Sequence, residues 1–213
     1  MLPSSRLEPL VRPATADLRR ETYGFFMGRS GGLPNDDALA RMLATQSSGG
    51  GALPAGLGLT PVDFAALLAR HFPGVPDPAI PPRPLPRWDP RLREEREELA
   101  KLLQQYRAGQ DGSEVWMSEI VAAGCMANDH LWEDLGLWSR RDLSELMVRN
   151  FPALAVRNDR DMKWKKFLYK QLCLQEGVYL CRAPSCAVCC DYSVCFGPEE
   201  SISRLRSKAC LGA

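Results

Sequence analysis

Histidine is almost missing from this chain: His71 and His130 are the two among 213 residues. Neither stands in a motif that pairs a nucleophile with a base, and no glycine-rich phosphate loop is present. No run approaches the roughly 18 consecutive apolar residues of a membrane span. Met1 to Pro13 lacks the apolar core that a secretory signal needs. Charge of one sign is lacking too, since 27 basic and 26 acidic side chains leave +1. Such a balance sets up no general field for nucleic acid or an anionic membrane, so anion binding has to come from a local arrangement. No strand pattern of any length is found. These absences lead to the expectation of a cytoplasmic protein that meets neither membrane nor nucleic acid and is not a turnover enzyme.

What is there is helix. At 45% hydrophobic and 25% charged the chain can bury a real core. Thr15 to Met27 puts Leu18, Thr22, Phe25 and Phe26 on one face. Asn35 can cap a second helix through Leu39, Met42 and Leu43, which ends at Gly49–Gly50–Gly51. Thr60, Pro61 and Asp63 read as an N-cap with proline in the first turn, and Pro73 stops that helix. Between Pro73 and Pro90 eight prolines fall in 18 residues, which reads as an extended connector between separable halves. Asp89–Pro90 opens a charged helix carrying Leu92, Leu99, Leu102, Leu103 and Tyr106. Further helices are expected from Ser113 to about Met126, from Ser139 with Asp142, and from about Asp159 to Glu176 before Gly177. The fold class is therefore mainly α, a helical bundle with a C-terminal cysteine-rich loop. Its divisions are a helical region 1–72, the connector 73–90, a helical domain with the cysteine site 91–199 and a tail 200–213.

One pattern occurs twice. Leu57–Gly58–Leu59 precedes DFAALLARHFP (Asp63 to Pro73), and Leu135–Gly136–Leu137 precedes DLSELMVRNFP (Asp142 to Pro152). The spacers differ by one residue. Either a helical unit is duplicated, or two amphipathic helices that end in Phe-Pro look alike.

The chemistry lies in the cysteines. Five of eight fall within CRAPSCAVCCDYSVC, with Cys181, Cys186, Cys189 and Cys195 spaced C-x4-C-x2-C-x5-C. In a reducing compartment such clustering argues for metal ligation rather than disulfides. Thiolates are soft ligands for iron–sulfur clusters, zinc and copper(I). A bulky cluster can draw all four sulfurs from one short loop, whereas structural zinc is usually gripped by two distant pairs. Four thiols within 15 residues, with Pro184 in the turn, favour a cluster. Zinc and redox thiols stay open as alternatives. Cys190, beside Cys189, points elsewhere or substitutes as a ligand. Cys125 and Cys173 read as structural, and Cys210 is near the end of the tail. Arg157, Arg160, Lys163, Lys165, Lys166 and Lys170 make the helix before the cluster basic. That is either a solvated face or an offset to thiolate charge that draws in an oxyanion. His130, amid Asn128, Asp129, Trp132 and Glu133, is the better candidate of the two histidines.

Three stretches carry a family resemblance: His130 to Met147, Asp161 to Cys186, and Cys190 to Glu199. Across residues 113–199, with the four-cysteine spacing, the chain resembles the nitrogen-fixation family NifQ. The resemblance implies an iron–sulfur cluster on Cys181, Cys186, Cys189 and Cys195 that takes up molybdenum from molybdate. It also implies delivery toward iron–molybdenum cofactor assembly for nitrogenase, with the NifE–NifN scaffold and NifH as partners. Moving molybdenum from oxygen to sulfur coordination suits a soft thiolate-held platform.

Overall fold

Leu39, Leu43 and Leu57 from the first half and Leu103, Ile120 and Phe151 from the second lie in one continuous apolar core. The computed structural model describes residues 15–75 and 90–176. Along these run α1 (Thr15–Met27), α2 (Asp36–Ser47), a 3-10 turn (Ala55–Gly58), α3 (Pro61–His71), α4 (Pro90–Gln105) and α5 (Ser113–Cys125). The short α6 (Leu131–Asp134), α7 (Arg140–Asn150), the short α8 (Pro152–Ala155) and α9 (Trp164–Glu176) complete the order. No strand occurs among the described residues, and the chain is mainly α as expected. No described helix is long and apolar enough to cross a membrane. The cysteine loop, Gly177 and most of the proline-rich stretch lie outside the described residues.

Local sequence explains the starts of α3 and α7. Thr60 Oγ1 accepts from Asp63 N–H at 3.1 Å and Ser139 Oγ from Asp142 N–H at 3.2 Å, each satisfying an orphan donor of the first turn. Pro61 costs nothing there because its missing N–H has no helical partner. Asn35 behaves differently. It precedes α2 but makes no side-chain cap. Its Nδ2 instead donates to Ser113 Oγ at 3.1 Å and to Asn150 Oδ1 at 2.8 Å, and Asn150 Nδ2 returns a bond at 3.0 Å. Burial decides this outcome, because an amide taken from water must find partners and a distant pair was on offer.

One further expectation is corrected by packing. Phe25 turns outward, 37% exposed, and Arg29 sits over its ring at 4.0 Å, while Phe26 takes the buried place beside Phe72. Contacts also cross between the two halves beside their shared core. Arg96 donates to the carbonyl of Gly58 at 3.2 Å, Ala52 N–H to that of Asp134 at 2.9 Å, and Thr45 Oγ1 to that of Gly136 at 2.7 Å. Removing either half therefore strips apolar surface and backbone partners from the other.

Candidate metal centre

Cys181, Cys186, Cys189 and Cys195, with Cys190 and Cys210, lie outside the described residues. Among the described residues no three potential ligand side chains gather as a metal-binding group. What the structure presents is the base from which the cysteine segment departs, and that base is α9.

α9 begins five residues later than periodicity suggests. Asn158 closes a tight turn, its Oδ1 accepting from Met162 N–H at 2.9 Å and its Nδ2 donating to Met162 C=O at 3.0 Å. Asp161 stands at φ 48°, left-handed backbone that interrupts any helix there. Arg140 holds the turn from α7 by an ion pair to Asp161 at 3.0 Å. The helix then buries Trp164, Phe167, Leu168 and Tyr169. Trp164 packs edge-on against Phe167 at 5.8 Å and donates its indole N–H to Ser144 at 3.3 Å. Near the far end Gln175 Nε2 donates to Gln105 Oε1 at 2.6 Å, which lays α9 along α4.

The expectation of a solvated basic face is corrected at Lys165. Its Nζ donates to the carbonyl of Ala127 at 2.8 Å and pairs with Asp134, whose side chain is 2% exposed. Burial raises the Asp134 carboxyl above the usual carboxylate range, and the Lys165 hydrogen bond and charge oppose that rise. Sequence reasoning placed Lys165 in a charged run and missed this clamp. Arg157 stays exposed and its guanidinium stacks over Tyr106 at 4.6 Å, while Lys170 is exposed.

The remaining candidates sort plainly. Burial pushes the Cys125 thiol up to about 12, so it is a packed hydrophobe with negligible thiolate. Cys173 is half-buried on α9, one turn before the helix ends. His130 is exposed at the start of α6, where its backbone N–H donates to Glu133 at 3.2 Å. No group of three or more potential metal ligands includes it among the described residues. His71 is fully buried, and its Nδ1 pairs with Asp36 Oδ1 at 2.6 Å.

The NifQ family profile matches residues 38–197, from α2 through the last motif cysteine. This chain belongs to the NifQ family. The match starts well before the stretch 113–199 that carried the resemblance, so α2 and α3 are family structure as well. Protein NifQ of Azotobacter vinelandii is 45% identical over 170 residues, covering 76% of this chain and 87% of that protein. Protein NifQ of Rhodobacter capsulatus is 40% identical, with 76% and 87% covered, and that of Klebsiella pneumoniae 37%, with 77% and 99% covered. No solved structure matches. Membership places the chain in nitrogen fixation.

Proposed function

We propose that this NifQ-family chain is a cytoplasmic molybdenum carrier that takes up molybdenum on a thiolate-held iron–sulfur cluster and donates it to nitrogenase cofactor assembly. One observation carries the reading: the C-x4-C-x2-C-x5-C spacing at residues 181–195, inside the span matched to the family. Cys181, Cys186, Cys189 and Cys195 are the residues that would hold the cluster. The donor set fits, being four soft thiolates with no hard oxygen among them. A cluster held there supplies sulfide coordination for incoming molybdenum. The chain's own residues supply position and charge. Four residues separate Glu176 from Cys181, so the first ligand follows α9 closely in the sequence. Arg157 and Lys170 remain exposed around α9 to meet molybdate, an anion, while Lys165 serves the fold. Loading and handing on a metal is stoichiometric, so the chain is a carrier rather than a catalyst. The NifE–NifN scaffold and NifH are its proposed partners.

Two measurements test the reading. Protein isolated without air should contain iron, acid-labile sulfide and molybdenum together. Iron and sulfide without molybdenum would turn it into an electron-transfer protein, and zinc alone into a stapled interaction module. In cells lacking the protein, nitrogenase activity should be poor at low molybdate and recover as molybdate is raised, since unassisted insertion grows with concentration. Equal impairment at every molybdate level would sink the carrier role.

A further inference from the structure

The repeated Leu-Gly-Leu…Phe-Pro pattern occupies equivalent places in the fold, and the two places touch each other. Position by position, α2 matches α5 at a constant offset: Asn35 with Ser113, Asp36 with Glu114, Met42 with Ile120, Thr45 with Ala123. The offset holds through Leu57–Gly58–Leu59 and Leu135–Gly136–Leu137, then grows by one at the inserted Trp138. From there Thr60 matches Ser139 and His71 matches Asn150. Each unit runs in the same order: a first helix (α1 or α4) packed on a second (α2 or α5), a short helical turn, and an 11-residue third helix (α3 or α7).

Backbone detail agrees between units. Gly58 and Gly136 stand at φ 79° and 75°, where a side chain is strained. Phe72 and Phe151 end their helices at φ, ψ of −133°, 65° and −135°, 54°. Two acids buried at the same position, Asp36 and Glu114, each accept backbone N–H groups from the loop before their own helix. Asp36 takes Leu33 at 2.9 Å, and Glu114 takes Gly109 at 2.7 Å, Gln110 at 2.9 Å and Asp111 at 3.0 Å. The last carbonyl of each third helix accepts from the same loop: His71 from Gly31 at 2.8 Å, Asn150 from Ala108 at 2.9 Å.

Look-alike helices would share none of the contacts between the units, yet a subset of these contacts is reciprocal. A Cβ on Gly58 would stand 2.9 Å from the Ala123 methyl, and a Cβ on Gly136 would stand 3.0 Å from Thr45 Cβ. Thr45 and Ala123 are equivalent positions, so each unit's glycine turn lies on the other unit's second helix. Arg70 reaches across to the Asp111 carboxylate at 2.7 Å, and its counterpart Arg149 reaches back to the carbonyl of Pro34, one residue beyond the position equivalent to Asp111, at 2.6 Å. Asn35 bonds its own equivalent, Ser113, which happens only at a symmetry axis. A contact from i to j matched by one from j to i is the mark of a two-fold interface.

We infer that the chain is a fused pseudo-dimer: two copies of one helical unit, about 60 residues each, whose shared surface has another such unit as its fitting partner. The association belongs to that surface and not to the proline-rich connector. The cysteine segment and α9 are then an addition to the second unit, since nothing equivalent separates α3 from the connector in the first.

The test keeps the full chain, with a flexible protease-cleavable insertion placed within residues 76–89. After cutting, the pieces should elute together at the volume of the uncut chain with unchanged helical signal, and the melting temperature should now fall on dilution. Pieces that part at micromolar concentration would overturn the inference. Gly58→Val and Gly136→Val in the cut protein should each weaken the association tenfold or more. If either variant fails to fold, Arg70→Ala and Arg149→Ala replace them, each expected to weaken it several-fold. A loss confined to one member of a reciprocal pair would refute the two-fold.

Discussion

Replacing Lys165 with Met removes the clamp between α9 and the α5–α6 junction while keeping most of the side chain's bulk. Asp134 is left with its carboxylate buried at 2% exposure, and the Ala127 carbonyl loses its donor. Breaking a buried pair by removing one partner costs about 3–5 kcal/mol. Lys165 is itself 16% exposed, so water can reach the site and the cost falls at or just below the lower end, about 2–3 kcal/mol. At this chain length that is a fall of about 5–10 °C in melting temperature. The cost should depend on pH in a definite direction. Burial already holds the Asp134 carboxyl above its ordinary range, and losing Lys165 raises it further. A carboxyl raised in the fold favours the folded state when protonated and costs stability as pH climbs through the range between its unfolded and folded values. The deficit of the variant against the parent should therefore be largest at neutral pH and shrink toward the ordinary carboxylate range. Denaturant unfolding of both proteins across that range measures it. Adding Asp134→Leu to Lys165→Met should recover most of the loss, since both charges are then gone. A deficit under about 0.5 kcal/mol, or one that does not change with pH, would refute the clamp.

Three other outcomes are expected. Serine at Cys181, Cys186, Cys189 or Cys195 should each sharply reduce bound iron in anaerobic preparations, while Cys125→Ser retains it, because hydroxyl is a poor substitute for thiolate and the Cys125 thiol is buried. Full iron in every motif variant would place the metal elsewhere. A chain shortened to begin near Asp89 should show no cooperative unfolding transition, since α2, α3 and α5 share one core; a sharp transition would mean that the second unit stands alone. Burial alone would raise the Asp111 carboxyl, but hydrogen bonds from Ser113 and Arg70 and the Arg70 charge outweigh it and hold the group at about 2. Its stabilising effect is present above the unfolded value of 3.8 and is lost as pH falls toward 2, so Asp111→Asn should flatten that part of the acid unfolding curve.

Helix identity was legible in the sequence because the signals are local. Thr60 with Asp63 and Ser139 with Asp142 start α3 and α7 through bonds three residues apart, and Pro73 and Pro152 follow their ends. The cysteine spacing is local as well, so a metal function could be proposed from it, and the family is shown by comparison. Tertiary structure decided what distance hides. Asn35 carries every local mark of a cap, yet its amide bonds residues 78 and 115 positions away because burial demands partners and those were in reach. Lys165 sits in a basic run, but the fold brings Asp134 under it. The repeat was visible as two similar strings, and only their reciprocal packing distinguishes a shared origin from shared amphipathicity. A sequence records which side chains are apolar or charged, while their partners depend on how helices far apart in the chain are laid together.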